Sequence, residues 1–138
     1  MVEDNRGDVI LMREAMDRVG LPFRLTVARN GVEAMECLRN AGKTEGPPLP
    51  GLVMLDLKLP LKGGQQVLAE IDADPRLCRI PLVVLSSSRS ELAIAMRQAS
   101  HGRRYIAKPG TFEGFVSVVQ SIEEYRRGFE GGEAGART

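Results

Sequence analysis

Short runs of apolar residues alternate with helical patterns along this chain. Residues 52–55 (LVML) form one run, which Asp56 ends, and residues 82–85 (LVVL) form another, which Ser86 ends. Neither run alternates with polar residues, which is typical of strands buried on both faces of a parallel sheet. Weaker runs at residues 25–28 and 105–107 predict two further strands.

Helical spacing of apolar residues fills the segments between these runs. We predict helices over residues 8–19, 32–41, 65–73 and about 90–100, and a fifth helix that begins near Thr111. Gly20 closes the first helix, because glycine readily adopts the left-handed conformation at a helix end. Alternating strands and helices imply a parallel sheet with right-handed crossovers and helices on both faces. The predicted fold class is therefore α/β, with a doubly wound sheet of five strands.

The beginning of the chain is the weakest part of this pattern. Only Met1 and Val2 precede the acidic pair Glu3-Asp4, whereas a central strand normally needs about 5 residues. Either the natural chain starts upstream of Met1, or the first strand is very short.

Length and composition bound the organisation of the chain. The 138 residues suit one domain, which we place at residues 1–130, and residues 131–138 are expected to form a flexible tail. Residues 42–51 form a loop rich in glycine and proline. The net charge of +1 argues against a nucleic acid or a membrane surface as the partner.

The sequence shows no targeting signal. There is no signal peptide, and the apolar runs are far too short to span a bilayer. Cys37 and Cys78 lie outside any CxxC motif, so we expect free thiols in a reducing compartment. The predicted location is the cytoplasm.

Polar side chains with chemical potential follow the predicted strands. Glu3 and Asp4 follow the first strand, Asp56 the third, Ser86 the fourth and Lys108 the fifth. In open α/β sheets the functional site forms beyond the carboxyl ends of the strands. Clustered carboxylates suit Mg²⁺, which prefers hard oxygen ligands. A carboxylate beside such a metal can attack phosphorus and form an acyl phosphate, while the metal and a lysine stabilise the transferring group.

Each of these residues also has an ordinary structural explanation. A single aspartate after a strand is more often a turn or helix-cap residue than a nucleophile. A serine in a loop and a lysine before a proline are usually solvated. Only the joint placement of Asp56, Ser86, Lys108 and the acidic pair at one sheet edge favours the functional interpretation.

The motifs together resemble the receiver domain of two-component response regulators. They are Val2-Glu3-Asp4-Asn5, residues 55–60 (LDLKLP), Gly64, residues 85–87 (LSS) and residues 105–109 (YIAKP), and the resemblance covers residues 2 to about 125. It implies a flavodoxin-like sheet in the order 2-1-3-4-5. It also implies roles for a set of residues: Asp56 as phosphoacceptor, Mg²⁺ bound by Glu3, Asp4, Asp56 and the carbonyl of Lys58, phosphoryl contacts from Ser86 and Lys108, and Tyr105 as the switch aromatic.

A narrower resemblance is to stand-alone receivers that are paired with bacterial phytochromes, which are light-sensing histidine kinases. It rests on residues 3–9 (EDNRGDV), the Pro-rich loop, residues 56–64 (DLKLPLKGG) and residues 73–88. The implied partner is a sensor histidine kinase, with a phytochrome as the specific expectation. Lys58 stands where this subgroup often has Asn, so it is expected to alter the lifetime of the acyl phosphate. His101 is interpreted as a surface loop residue.

The resemblance also implies how the signal leaves the domain. Phosphorylation of Asp56 would draw Ser86 and Lys108 toward the new charge, and Tyr105 would turn inward. This would change the face made by the fourth helix, the fifth strand and the fifth helix. We also predict a homodimer through this face, because the fifth helix carries more apolar residues than one core stripe needs, including Phe115, Val118, Tyr125 and Phe129.

Two other functions stay open at this point. A phosphatase with an aspartyl nucleophile usually carries a second acid two residues after the nucleophile, and this chain has Lys58 there. A pseudo-receiver that binds partners without phosphorylation usually lacks the acceptor, the acidic pair or the lysine, all of which are present here. The favoured interpretation is a phosphoacceptor that catalyses its own phosphorylation and dephosphorylation and is not an enzyme in the ordinary sense.

Overall fold

A computed structural model of the chain describes residues 1–97 and 103–136, the last eight of them by backbone alone. The elements in this part follow in the order helix α1 (Arg6–Val19), helix α2 (Gly31–Asn40), strand β1 (Val53–Asp56), helix α3 (Gly64–Ala73), strand β2 (Leu82–Ser86), helix α4 (Arg89–Arg97), strand β3 (Arg104–Ala107) and helix α5 (Phe112–Ala136). The five predicted helices are confirmed. The predicted end of the fourth helix and His101 lie outside the described residues, and the domain boundary at residue 130 stays a prediction.

The sheet of the described part has three parallel strands in the order β1-β2-β3. The two other predicted strands are reduced to isolated bridges, in which Val2 pairs in parallel with Ala28 on one side and with Leu55 on the other. The five-stranded order 2-1-3-4-5 is therefore not confirmed. The physical reason is that only two residues precede Glu3, so the central position offers too little backbone for either neighbour to form a ladder.

Helices cover both faces of the sheet, as the unbroken apolar runs predict. Helices α1 and α5 pack on one face, where Met12 and Phe115 contact Met54 and Val83 of the strands. Helices α2, α3 and α4 pack on the other face, on alternate strand residues such as Leu55. Every residue of β1 and β2 is buried, so these two strands form a rigid centre that ends at Asp56 and Ser86. No helix of the described part is long and apolar enough to cross a bilayer.

Asparagine side chains begin the first two helices. The Asn5 side chain accepts a hydrogen bond from the backbone N–H of Asp8, and Asn30 does the same for Glu33. Such caps satisfy N–H groups that have no partner within the helix. The cap starts α1 at Arg6, two residues before the predicted start, because Asn5 and not a later residue supplies the cap. Gly20 ends α1 in the left-handed conformation, as predicted.

Candidate functional site

The acceptor candidate Asp56 is the last residue of β1 and is held on both sides. Its backbone N–H donates to the carbonyl of Val2 at 3.0 Å, which ties the acidic pair to the central strand. Its side chain is 5% exposed. One carboxylate oxygen, Oδ1, accepts from the backbone N–H of Lys58 at 3.0 Å, and the other, Oδ2, accepts from Lys108 Nζ at 2.8 Å. The carboxylate is thus buried, oriented and paired with one cation.

Lys108 collects three carboxylates around its ammonium group. Its Nζ lies 2.8 Å from Glu3 Oε1, from Asp8 Oδ2 and from Asp56 Oδ2. The backbone places it there, because β3 pairs Ala107 with Ser86, and the N–H of Lys108 donates to the carbonyl of Ser86 at 2.9 Å. The predicted meeting of Lys108, Asp56 and Glu3 at one sheet edge is therefore what this structure shows.

The acidic pair lies beside Asp56. Carboxylate oxygens of Glu3, Asp4 and Asp56 lie within 4.8 Å of one another. Glu3 is buried and Asp4 is exposed, so the cluster opens to solvent on the side of Asp4. Glu3 Oε1 is buried and accepts no hydrogen bond from any described residue, although the Lys108 ammonium is close to it. A buried oxygen with spare acceptor capacity, two nearby carboxylates and a solvent opening fit a hard divalent cation.

The electrostatics of the site reflect this crowding. Burial, together with the neighbouring Asp56 carboxyl, raises the pKa of Glu3 to about 7, against the opposing pull of Lys108. Burial disfavours the charge of Lys108, but its contacts with Asp56, Asp8 and Glu3 outweigh that cost and raise the pKa of Lys108. Like charges in a desolvated site disfavour ionisation, and opposite charges favour it. The site therefore holds more negative charge than its one lysine balances.

The other predicted site residues lie around this cluster. Ser86 ends β2 and is buried, and its hydroxyl accepts from the backbone N–H of Ser88 at 3.0 Å. Lys58 is exposed, so its ammonium lies outside the set of contacts that surrounds Asp56. Tyr105 of β3 packs its ring against the core, and its buried hydroxyl has no hydrogen-bond partner among the described residues.

The loop behind Asp56 makes its closest backbone approach at Gly64. A Cβ atom on Gly64 would lie 2.5 Å from the Cα of Leu57 and 2.8 Å from the carbonyl oxygen of Asp56. The backbone N–H of Gly64 also donates to the carbonyl of Leu57 at 3.1 Å. Pro60 precedes this contact in the same loop, and Leu61 has a positive φ of 67°. The loop therefore fits against β1 only with glycine at position 64.

Sequence reasoning missed one member of the cluster, Asp8. It lies in the first turn of α1 and contacts Lys108, although we predicted it only as the start of a helix. The signal that could have identified it is the spacing from Asn5. With Asn5 as the cap, Asp8 falls at the third helical residue, so its side chain is at the end of the helix that faces the strand edge.

The apolar residues of α5 are less exposed than the dimer prediction assumed. Phe115 and Val118 are buried between α5, α1 and the sheet, so they do not contribute an exposed patch. Tyr125 is partly buried, and the guanidinium of Arg104 lies 5.5 Å from the centre of its ring. Among the described side chains, the large exposed apolar residues on this side belong to α4, where Ile94 is 46% and Met96 is 58% exposed. Phe129 lies outside the residues whose side chains are described.

The predicted thiols are free. Cys37 and Cys78 are both exposed, and neither forms a disulfide. Their positions on α2 and after α3 are away from the sheet edge that carries Asp56. They therefore have no part in the cluster.

Comparison with known proteins gives the same family as the motifs. No protein-family model matches the chain. The chain is 37% identical over 125 residues to the response regulator Rcp1 of Synechocystis sp., a match that covers 91% of this chain and 85% of Rcp1. It is similar to the crystal structure of the phosphorylated cyanobacterial phytochrome response regulator RcpA, with a TM-score of 0.78, 42% identity, and coverage of 90% of this chain and 89% of RcpA.

A third match concerns a metal-bound relative. The crystal structure of the Mn²⁺-bound form of Rcp1 matches with a TM-score of 0.74 and 35% identity, and covers 88% of each chain. These matches span nearly the whole of both partners. Together with the arrangement of Asp56, the acidic pair and Lys108, they show that this chain belongs to the receiver-domain response regulators.

Proposed function

We propose that this protein accepts a phosphoryl group on Asp56 in a Mg²⁺-dependent reaction and signals through a changed surface. The observation that carries the proposal is the position of Lys108 Nζ, 2.8 Å from both Asp56 and Glu3, beside a group of three carboxylates that fits a divalent cation. This combination supplies a nucleophile, a metal site and a cation for the phosphoryl group within one buried edge of the sheet.

The metal site would consist of Glu3, Asp4 and Asp56, with the backbone carbonyl of Lys58 as a fourth ligand. When bound, Mg²⁺ supplies positive charge to the phosphoryl oxygens and lowers the repulsion between them and the attacking carboxylate. The Mn²⁺-bound form of the relative Rcp1 supports a divalent cation in this family. The spare acceptor capacity of buried Glu3 Oε1 supports a divalent cation in this chain.

Phosphoryl transfer would run through Asp56 itself. A carboxylate oxygen attacks the phosphorus atom, and the bond between phosphorus and the donor atom breaks, so that its electron pair leaves with the donor. Lys108 and the hydroxyl of Ser86 would stabilise the charge on the phosphoryl oxygens. Attack of water on phosphorus later releases inorganic phosphate and restores the carboxylate. The protein is thus a phosphoacceptor that promotes its own phosphorylation and dephosphorylation.

The output of this reaction would be a changed face made by α4, β3 and α5. Phosphorylation adds negative charge and strong acceptor oxygens near Ser86 and Lys108, both of which connect to the end of β3. Tyr105 lies in β3, and its buried hydroxyl, which has no hydrogen-bond partner within the described part of the chain, makes it a suitable switch residue. We propose that a homodimer forms through this face. The exposed Ile94 and Met96 now support that dimer in place of Phe115 and Val118.

A sensor histidine kinase is the proposed phosphodonor, with a phytochrome as the specific candidate. The support is that the relative RcpA is a phytochrome response regulator. Incubation of this protein with a bacterial phytochrome kinase and ATP, beside an unrelated histidine kinase, tests the partner. We expect faster transfer from the phytochrome kinase, and equal rates from both kinases would contradict the assignment.

The experiment for the central reaction uses a small phosphodonor. The protein is incubated with acetyl phosphate and Mg²⁺, and its intact mass is measured, with Asp56→Asn as the control. We expect a labile adduct of one phosphoryl group that needs Mg²⁺ and is absent from the variant. Steady hydrolysis of phosphate esters without an adduct would instead indicate a phosphatase. The absence of both would indicate a binding module that works without phosphorylation.

A further inference from the structure

The Lys108 ammonium is held by one carboxylate that the proposed metal site does not use. Of its three contacts at 2.8 Å, Glu3 and Asp56 belong to the group of mutually close carboxylates, and Asp8 does not. The contact with Asp56 has hydrogen-bond geometry, and the contacts with Glu3 and Asp8 are ion pairs. The side chain of Asp8 is 18% exposed, so its charge is only partly screened by water.

The carboxylate of Asp8 is free for this contact because the helix cap uses another part of the residue. The backbone N–H of Asp8 donates to the Asn5 side chain at 3.1 Å, which fixes the first turn of α1. The carboxylate then contacts Lys108 from a helix, whereas Asp56 ends β1 and Glu3 follows the bridge residue Val2. Lys108 is therefore held from two sides, by the sheet and by a helix.

Metal binding and phosphorylation would change two of these three contacts and add the phosphoryl oxygens as a new partner of Lys108. A divalent cation on Glu3 and Asp56 would offset their charges, and formation of the acyl phosphate would convert the free carboxylate of Asp56 into a mixed anhydride. Of the three carboxylates that contact Lys108, Asp8 alone would keep its free, metal-free form. We infer that Asp8 is a positioning residue, which keeps the Lys108 ammonium at the site while metal and phosphoryl group replace its other two partners. The inference rests on the proposed phosphorylation of Asp56.

A structural role in helix α1 alone would have a different signature. An acid in the first turn also stabilises a helix through its dipole, and loss of that effect changes stability without changing the chemistry at Asp56. Action through Lys108 instead changes the rate of phosphoryl transfer, because an ammonium that leaves its position no longer stabilises the phosphoryl oxygens. The two roles are separated by comparing transfer rates with stability.

The test measures initial phosphorylation rates with acetyl phosphate by intact mass, over a series of Mg²⁺ concentrations. Asp8→Asn is compared with Asp8→Glu, and with Glu14→Gln as a matched control on the exposed side of the same helix. We expect Asp8→Asn to lower the rate at saturating Mg²⁺ about tenfold. The Mg²⁺ concentration for half-maximal rate should stay within about threefold of wild type. Asp8→Glu should recover part of the rate, and Glu14→Gln should match wild type.

The outcomes distinguish this inference from the proposed function. If wild type gains no phosphoryl group on Asp56, the proposed function itself fails. If wild type is phosphorylated and Asp8→Asn stays within about twofold of it, the role of Asp8 is wrong and the proposed function stands. An Asp8→Glu variant as slow as Asp8→Asn also overturns the role, because a carboxylate at this position would then not be what matters.

A second measurement uses wild type and does not depend on the folding of any variant. Nuclear magnetic resonance of ¹⁵N-labelled lysine ammonium groups reports how fast each exchanges protons with water. We expect the Lys108 signal to stay protected when Mg²⁺ is added to saturation, because Asp8 still holds the ammonium. Loss of the protected signal on addition of Mg²⁺ would overturn the inference.

Discussion

The two sides of the functional cluster are held very differently by the fold. Asp56 and Lys108 belong to paired strands or follow them directly, and β1 and β2 are buried along their whole length. Glu3 and Asp4 follow a first strand that is reduced to the bridges of Val2. Three backbone hydrogen bonds at 2.7 to 3.0 Å, from Val2, Glu3 and Asp56, join this acidic pair to its neighbours.

The acceptor Asp56 and the acidic pair Glu3-Asp4 are thus supported by different parts of the structure, although all three would bind the metal. The nucleophile and the lysine depend on a rigid sheet whose residues are also the main core. The acidic pair depends on local pairing at one residue, so changes near Val2 should affect metal binding more than they affect the global fold. Substitutions on the two sides should therefore differ in their effects on stability and on metal binding.

The largest effect on stability is expected on the rigid side, at Gly64. In Gly64→Ala the added Cβ would collide with backbone atoms of Leu57 and Asp56, which cannot move aside as a flexible side chain could. We expect a loss of about 3 kcal/mol in the free energy of unfolding, measured by urea denaturation. Gly128→Ala is the matched control, because no described atom lies within 4 Å of a Cβ at that position of α5, and it should gain about 0.5–1 kcal/mol. Equal effects of the two substitutions would contradict the close approach at position 64.

A pair of valines compares the two sides directly. Val84 is completely buried in β2, and Val2 is 4% exposed at the bridge. We expect Val84→Ala to cost about 2 kcal/mol of unfolding free energy, and Val2→Ala about 1 kcal/mol. Calorimetric titration with Mg²⁺ should show the reverse order, with the larger loss of affinity in Val2→Ala. A larger loss of affinity in Val84→Ala would contradict the view that the acidic pair depends on the Val2 bridge.

The pH dependence of stability tests the crowding around Glu3. Its pKa in the folded protein is raised from 4.5 to about 7, mainly by burial. Between these values the folded state binds more protons than the unfolded state, so without metal this group makes stability fall as pH rises. The Met1 amino group opposes this effect, because burial lowers its pKa to about 6. We therefore expect wild type, in the presence of a chelator, to lose stability between pH 5.5 and pH 7.5 relative to a variant that lacks the Glu3 carboxyl.

Glu3→Gln is the control for this pH effect. The variant should lose the pH dependence that Glu3 causes, whereas the contribution of the Met1 amino group is the same in both proteins and cancels in the comparison. Glu70 and Glu123 act in the opposite direction, because ion pairs with Lys62 and Arg126 lower the pKa of their carboxyls, so their contributions are lost only at more acid pH. A wild-type protein that gains stability from pH 5.5 to 7.5 relative to the variant would contradict a crowded Glu3.

The smallest effect is expected in the loop behind the acceptor, at Leu61. This residue has a φ of 67° and its side chain is 82% exposed. Leu61→Asn should gain about 0.5 kcal/mol, because asparagine tolerates the left-handed conformation better than leucine. Leu61→Ala removes the same exposed side chain without that tolerance and should show no comparable gain in thermal unfolding. Equal gains would assign the effect to exposure instead of backbone conformation.

Much of the fold and of the cluster could be predicted from local patterns. Unbroken apolar runs identified β1 and β2, and the polar residues at their ends identified Asp56 and Ser86. The contact between Lys108 and Asp56 follows from the parallel order of these strands, since their carboxyl ends meet at one edge. These features depend on residues that are adjacent in sequence or on strand order alone.

Other features depend on packing that a sequence pattern does not contain. The apolar residues Phe115 and Val118 of α5 suggested an exposed patch, but the helix is covered by α1 as well as by the sheet, so both are buried. Asp8 was missed because its contact with Lys108 depends on where α1 begins and how it is oriented. The pairing of the first two predicted strands likewise depends on how much backbone Val2 offers its neighbours.

The most direct test of the central claim is to locate the phosphoryl group on the chain. After treatment with acetyl phosphate and Mg²⁺, reduction with borohydride converts an aspartyl phosphate into homoserine, which peptide mass spectrometry can place. The account predicts homoserine at position 56 and at no other aspartate, and none when Mg²⁺ is replaced by a chelator. Homoserine at Asp4 or Asp8, or an unmodified Asp56 in a protein that has gained a phosphoryl group, would contradict it.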